Sequence, residues 1–255
     1  MVFNRRFIRK TMKIGIIGLG FVGLSFASVL GSKGYKVLCY DSDRTKLQKI
    51  ERGITPFYEP DLENTMKEAL RKNLVISYDL SKVIERCDFI FITVGTPQAQ
   101  DGSIDLSMIK DAISNIGNDL KKTKNTPLII IKSTVIPGTT LDVLLPILQK
   151  QSKKQIGKGF GLITNPEFLR ESLAIKDTIN PHVIVLGGAD DQFMKKIKRF
   201  YINEIPAECR KYARGYFNPL TKVIQWVYRS TVPTSVHERY EFDKILCFNT
   251  VTQAF

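Results

Sequence analysis

At 255 residues the chain is long enough for one large domain, or for one domain and part of a second. Its 43% hydrophobic and 10% aromatic content suits a packed core, and no apolar run reaches the roughly 18–20 residues of a membrane span, so no membrane association is expected. The formal charge of +13 would suit nucleic acid or anionic ligands, but Lys and Arg are spread along the chain; no aromatic stacking motif lies between the densest clusters, NRRFIRK (4–10) and KKIKRF (195–200), and nucleic-acid binding is not expected.

The first eleven residues are basic and have no apolar stretch of the kind a secretory signal carries, so residues 1–12 read as a basic extension. From residue 13 short apolar runs alternate with amphipathic stretches. KIGIIG (13–18), KVLCYD (36–41), LVIS (74–77), DFIFITV (88–94) and PLIIIKS (127–133) have strand length and near-continuous apolar character, as parallel strands covered on both faces do. The stretches between them, FVGLSFASVLGSKG, RTKLQKIERG, LENTMKEALRKN, LSKVIERC and LSMIKDAISNIGNDL, carry helical spacing. This rhythm predicts an α/β fold, a doubly wound, mostly parallel Rossmann-type sheet over 13–200. A Lys/Gln/Gly-rich connection (149–159) leads to a strand GLIT, the segment NPEFLRES (165–172) and a further strand HVIVLGG (182–188). Beyond residue 200 the period degrades, and 201–255 reads as a partial segment with helical fragments. The four cysteines, Cys39, Cys87, Cys209 and Cys247, have no metal-ligand or disulfide-framework spacing, which fits a reduced, cytoplasmic setting. No metal site is expected.

The chemistry starts at Gly18-Leu19-Gly20-Phe21-Val22-Gly23, a GxGxxG between a strand and a helix. Gly18 permits the tight turn, Gly20 lets backbone approach a pyrophosphate, and Gly23 allows close helix–strand packing. Asp41 ends the second strand, where an acid takes the ribose hydroxyls and favours NAD over NADP. Arg44 and Lys46 follow; either could touch the adenosine phosphates or be solvated, and Arg44 leaves NADP open. VGTP (94–97) and KSTVIPGT (132–139) stand at later strand ends, where ordinary turns and cofactor contacts both fit. In NPEFLRES, Glu167 and Glu171 would share one face if the segment were helical, and like charges at that spacing repel by a few tenths of a kcal/mol.

Taken in order, GLGFVGL, YDSD, GITPFYEPDL, VGTP with DGSIDLS, KSTVIPGTT and NPEFLRES with AIKD resemble the UDP-glucose/GDP-mannose dehydrogenase family over roughly residues 13–188. The resemblance implies an N-terminal NAD domain, a central helical dimerisation domain and a C-terminal nucleotide-sugar domain. It implies oxidation of a sugar C6 alcohol to a carboxylate with two NAD, through a cysteine thiohemiacetal. By position, Gly18, Gly20, Phe21, Val22, Gly23, Asp41 and Lys46 would hold the adenosine diphosphate end of NAD, and Thr96 would contact it further along. Thr134 would position a water, Glu167 would act with it as acid/base, and Glu171 would lie near the nicotinamide. Glu167, Phe168, Leu169, Arg170 and Glu171 would contact the nucleotide sugar, largely through backbone. UDP-glucose is the favoured sugar nucleotide; the PEFLRES-AIKD wording also suits GDP-mannose, and UDP-N-acetylmannosamine ranks third.

The chain departs from the family pattern after this point. Family members carry a helix of the type A-E-x-x-K-Y-x-x-N whose Lys stabilises an oxyanion; AECRKYARG (207–215) supplies Lys211 for this role, but Gly215 stands in place of the Asn. The family nucleophile lies in a loop of type G-G-x-C-x-x-K-D, which this sequence lacks; Cys247, in KILCFNTV, has neither the glycines nor the Lys-Asp pair. Residues 201–255 are therefore expected to be a remnant of the central domain. Either the chain is a truncated or frameshifted product, or another chain, in a homodimer or as a companion, supplies the missing parts; a non-catalytic NAD-binding module is the competing expectation.

Overall fold

The computed structural model describes residues 12–181, 183–188 and 190–204, together with the backbone of three strands further on. The sheet is built from β1 (Lys13–Ile17), β2 (Lys36–Tyr40), β3 (Leu74–Ile76), β4 (Phe89–Ile92), β5 (Leu128–Ile131) and β6 (Gly161–Thr164). All pairings are parallel, in the order β3-β2-β1-β4-β5-β6. Strand order therefore reverses between β1 and β4, the point where open α/β sheets open a crevice at the carboxyl ends of their strands.

The helices are α1 (Phe21–Ser32), α2 (Arg44–Glu51), α3 (Leu62–Lys72), α4 (Leu80–Arg86), α5 (Ser107–Leu120), α6 (Leu145–Ser152), α7 (Ala174–Ile179) and α8 (Asp191–Glu204). A π-helical turn, Thr139–Leu144, runs directly into α6. The apolar runs are strands because both of their faces are covered: every residue of β4 and β5 is buried. One core layer joins α1, α3 and α8 to one face of the sheet through Phe26, Leu30, Met66, Phe91 and Phe200. The other joins α4, α5 and α6 to the opposite face through Val83, Ile90, Ile113, Ile129 and Leu148. Phe200 brings α8 into the first layer by edge-on contacts with Tyr35 and Phe89, both centroid pairs at 5.6 Å.

Three expectations need adjusting. HVIVLGG forms no regular strand among its described residues; a single antiparallel bridge pairs Gly187 with Thr164, because Val185 O is taken by the Asn165 side chain. The Lys/Gln/Gly-rich connection is partly α6 and links neighbouring strands of one sheet. Among the described residues, the helical fragments expected beyond residue 200 are met only by the end of α8. The described residues further on form an antiparallel sheet of β7 (Arg214–Asn218), β8 (Val223–Tyr228) and β9 (Lys244–Asn249). Their β-branched and aromatic content, as in VIQWVY, suits a pleated surface better than a helix.

Candidate functional site at the carboxyl edge of the sheet

β1 is followed by Gly18, whose φ of 95° is strained for any L side chain; a Cβ there would also lie 2.8 Å from Val94 N. At Gly23 a Cβ would meet Gly18 O at 1.9 Å, so α1 can cross the turn this closely only without one. The Thr93 hydroxyl, at the end of β4, locks the turn by donating toward Gly18 O (2.7 Å) and Ile17 O (3.0 Å). Gly20 is different: a Cβ there would touch nothing within 4 Å, so its backbone faces open space. It is the N-cap of α1, with no side-chain cap and no acid in the first turn. The first amides of α1 are thus left for an anion, the arrangement that receives a pyrophosphate.

Asp41 follows β2 and is 7% exposed. Its Oδ2 accepts from Leu19 N at 2.7 Å and from Lys46 Nζ at 2.9 Å, and its Oδ1 accepts from Asp43 N at 2.9 Å. The carboxylate is thereby fixed against the glycine turn with acceptor capacity still open on Oδ1. Asp43 caps α2 by accepting from Lys46 N, which sets the helix that carries Lys46. Phe21 packs against Phe57 at 5.9 Å, bringing the GITPFYEP segment onto the start of α1. These residues fit a dinucleotide: an open amide cradle, a fixed acid at the second strand end, and a mobile-length lysine beside it.

The ends of β4 and β5 are bound to each other. Thr96 Oγ1 donates to Thr134 O at 2.8 Å, and Ser133 Oγ donates to Val94 O at 2.6 Å. Two segments that could each have been plain turns therefore form one rim on the crevice side, with the Thr134 side chain exposed.

After β6 the chain does not become helical; residues 165–170 are irregular, and α7 begins only at Ala174. Glu167 and Glu171 thus do not stack on one helical face. The Glu167 carboxylate turns back to accept from Leu169 N at 2.6 Å, while Phe168, Arg170 and Glu171 are exposed. Arg170 is committed to Asp177 by a bidentate pair, Nε–Oδ2 3.0 Å and Nη2–Oδ1 2.6 Å, and its backbone is engaged as well: its N donates to Asp177 Oδ2 at 3.0 Å and its O accepts from Leu173 N at 3.1 Å. Glu59, in the FYEP motif, is buried and accepts from Ser172 N at 3.0 Å and Ala174 N at 2.8 Å. It reaches across more than a hundred residues to cap α7 and hold Ser172 in a left-handed turn, φ 65°.

Sequence reading passed over a second buried group. Lys132, at the end of β5, is 8% exposed. Its Nζ lies 5.0 Å from the Phe26 ring centroid and 3.4 Å from Asn165 Oδ1. Burial pushes its ammonium down to about 8, with the Glu167 carboxylate opposing that shift. Asn165 Oδ1 also accepts from the Tyr201 phenol of α8, whose titration burial drives upward. In sequence, a lysine after an apolar strand looks solvent-facing; only the side chain's direction under the following loop reveals otherwise.

Of the expected residues, Gly18, Gly20, Phe21, Val22, Gly23, Asp41 and Lys46 gather at the β1–α1 turn, and Thr96 and Thr134 at the β4–β5 rim. Glu167 to Glu171 follow β6 on the same carboxyl edge of the sheet. Lys211 lies outside the described residues, as does Cys209; Cys247 is in β9, described by backbone alone. Burial raises the thiols of both Cys39 and Cys87, the latter to about 12, so neither offers a thiolate. Among the described residues no His/Cys/Asp/Glu group could hold a metal, and no helix is long and apolar enough to cross a membrane.

Comparison with known proteins agrees with this geometry. The model of the UDP-glucose/GDP-mannose dehydrogenase family, NAD binding domain, matches residues 12–205. GDP-mannose 6-dehydrogenase of Pseudomonas aeruginosa is 37% identical over 191 residues, which are 74% of this chain and 44% of that protein. A UDP-glucose 6-dehydrogenase of Haloferax volcanii is 33% identical over 190 residues, again 74% and 44%. The solved structure of a ternary complex of the P. aeruginosa GDP-mannose dehydrogenase superposes with a TM-score of 0.73 at 36% identity, over 75% of this chain and 44% of that one. A UDP-glucose dehydrogenase from Pyrobaculum islandicum gives 0.73 at 30% identity, over 78% and 46%. The chain therefore spans less than half the length of these relatives. Glycine turn, buried acid after the second strand, strand order and sequence relatives together make this chain a member of the UDP-glucose/GDP-mannose dehydrogenase family, carrying its NAD-binding domain.

Proposed function

We propose that the chain is the cofactor half of a nucleotide-sugar 6-dehydrogenase, binding NAD and contributing Thr134 and Glu167 to the water chemistry of the oxidation. The observation that carries this reading is the carboxyl edge itself: the open amide cradle at Gly20, the fixed Asp41, the Thr96–Thr134 rim and the Glu167 loop all stand on it. Bound NAD would accept hydride from the sugar C6 carbon. The α1 amides would hold its pyrophosphate, Asp41 its adenosine ribose, and Thr96 the chain further along. Thr134 and Glu167 would orient a water and move its proton, Glu171 would border the nicotinamide, and the backbone of Phe168 to Glu171 would contact the sugar nucleotide. Lys211 would stabilise the oxyanion.

Carrying an aldehyde to an acid by the family route needs a cysteine in a Gly-rich loop, and these 255 residues contain no such loop. The reading therefore assigns cofactor binding to these 255 residues, and full oxidation to them only together with the residues that bring such a cysteine loop. UDP-glucose is the proposed sugar nucleotide. GDP-mannose is the second reading, supported by 37–39% identity to the Pseudomonas GDP-mannose enzymes against 33% to UDP-glucose ones, although the Azotobacter vinelandii GDP-mannose enzyme also stands at 33%.

Calorimetry separates these readings. NAD is expected to bind more tightly than NADP. Heat on adding UDP-glucose or GDP-mannose identifies the sugar nucleotide. NAD binding with neither sugar nucleotide would leave a cofactor-binding module without substrate, and no NAD binding would sink the proposal.

A further inference from the structure

The buried ammonium of Lys132 has three N–H donors, and its hydrogen-bond partner is Asn165 Oδ1 at 3.4 Å. Asn165 is 1% exposed and serves as a hub: its N donates to Ile131 O at 2.8 Å, its Nδ2 to Val185 O at 2.9 Å, and its Oδ1 accepts from Lys132 and Tyr201. A small cavity of about 50 Å³ lies behind the loop, lined by Lys132, Asn165, Glu167, Leu169, Asp177 and Tyr201 among others. Lys132 thus enters the loop's underside from β5, and α8 enters from the other side through Tyr201.

We propose that Lys132 is a positioning residue for the Asn165–Leu169 loop: its ammonium, placed under the loop by Asn165 and the Phe26 ring, holds the Glu167 carboxylate turned inward onto Leu169 N. A cation in this low-dielectric pocket attracts the carboxylate across the cavity, and only its protonated form does so. The other charged and titratable groups facing the cavity are Asp177 on α7, already paired with Arg170, and Tyr201 on α8, already hydrogen-bonded to Asn165. Neither is placed to substitute for Lys132. Because burial brings the ammonium's titration down to about 8, the loop changes state near that pH. The significance for catalysis rests on the role proposed above for Glu167; the coupling of Lys132 to the loop does not.

The test is nuclear magnetic resonance on the 255-residue chain without ligand, following the Leu169 amide and the Lys132 Cε carbon from pH 6 to pH 10. The Leu169 amide is expected to shift with a midpoint that coincides with that of Lys132, near pH 8. In Lys132→Met the inflection is lost, with the amide at its high-pH position throughout. In Lys132→Arg, which stays charged over the range, the amide stays at its low-pH position. A Leu169 amide that does not shift with Lys132 in the wild-type chain, or that shifts equally in Lys132→Met, overturns the proposal. Should either variant fail to fold, coincidence or mismatch of the two wild-type midpoints still decides. NAD titration of the same samples reports separately on cofactor binding, so failure of the loop coupling and failure of the proposed function are distinguishable.

Discussion

Asp41 shows how one side chain can serve both the fold and a ligand. Three donors already fix its carboxylate, Oδ2 being held by the glycine turn through Leu19 N, and acceptor capacity remains on Oδ1. Hydrogen bonds to a charged acceptor contribute about 1.5–3 kcal/mol, so Asp41→Asn should weaken NAD binding by roughly ten- to a hundredfold. It should also narrow the preference for NAD over NADP, because a 2′-phosphate no longer meets a carboxylate. Fluorescence titration with NADH and NADPH reads both effects; unchanged NADH affinity would remove Asp41 from the ribose. Lys132 gives a prediction at the same scale. Its folded titration, about 8, lies below the ordinary 10.5, so the unfolded chain binds the extra proton between those values. Burying the charged lysine therefore costs the fold stability on the order of 3 kcal/mol below pH 8, and that cost fades as pH rises to 10.5. The stability of the wild type relative to Lys132→Met should climb across this window in urea titrations. Parallel curves for the two proteins would show that Lys132 is not buried as a cation.

At the scale of elements, the short helix α7 has no cap of its own. Leu173 precedes it without a side-chain hydrogen bond, and Glu59, from the segment between α2 and α3, supplies the acceptor. Glu59→Ala would leave two buried or half-buried amides, Ser172 N and Ala174 N, without their acceptor, at a cost of about 1–3 kcal/mol. The expected outcome is a lowered melting temperature together with faster hydrogen exchange at Ser172 and Ala174, while amides of β4 and β5 keep their protection relative to global unfolding. Equal loss everywhere would make Glu59 a general stability residue and not a support of this loop. These elements also show what was legible in the text of the sequence. β1, β2, β4 and β5 could be read because strands covered on both faces must be apolar along their whole length, and the turn at Gly18 because few other arrangements need that glycine spacing. The segment after β6 could not, because its shape is set by long-range partners: Glu59, Asp177 and Asn165 each override the local helical spacing of NPEFLRES. Lys132 was hidden for the same reason, since burial of a lysine at a strand end depends on the loop that folds over it. The β-strands after residue 214 were missed because aromatic and β-branched residues there were weighed as helical fragments.

For the whole molecule, cofactor chemistry and covalent chemistry fall apart. The residues proposed to receive NAD lie between Gly18 and Glu171, and the sheet that holds them closes its core with α8. One core layer draws on all six parallel strands and the other on all but β3, so this part has its own hydrophobic interior. A thiol nucleophile is another matter. Cys39 and Cys87 are buried with raised titration, and the Gly-rich cysteine loop is missing from the sequence. The purified 255-residue chain should therefore unfold cooperatively, gain thermal stability on adding NADH, and form no UDP-sugar or GDP-sugar acid. A ligand present at a hundred times its dissociation constant stabilises by about 2.7 kcal/mol, an increase that a melting curve resolves. Acid production by the chain alone would mean that a residue within these 255 replaces the family cysteine, and Cys247→Ser would then be the first variant to make. Stabilisation by NADH without acid, restored to turnover by adding a chain that carries the cysteine loop, would locate the active site between two polypeptides.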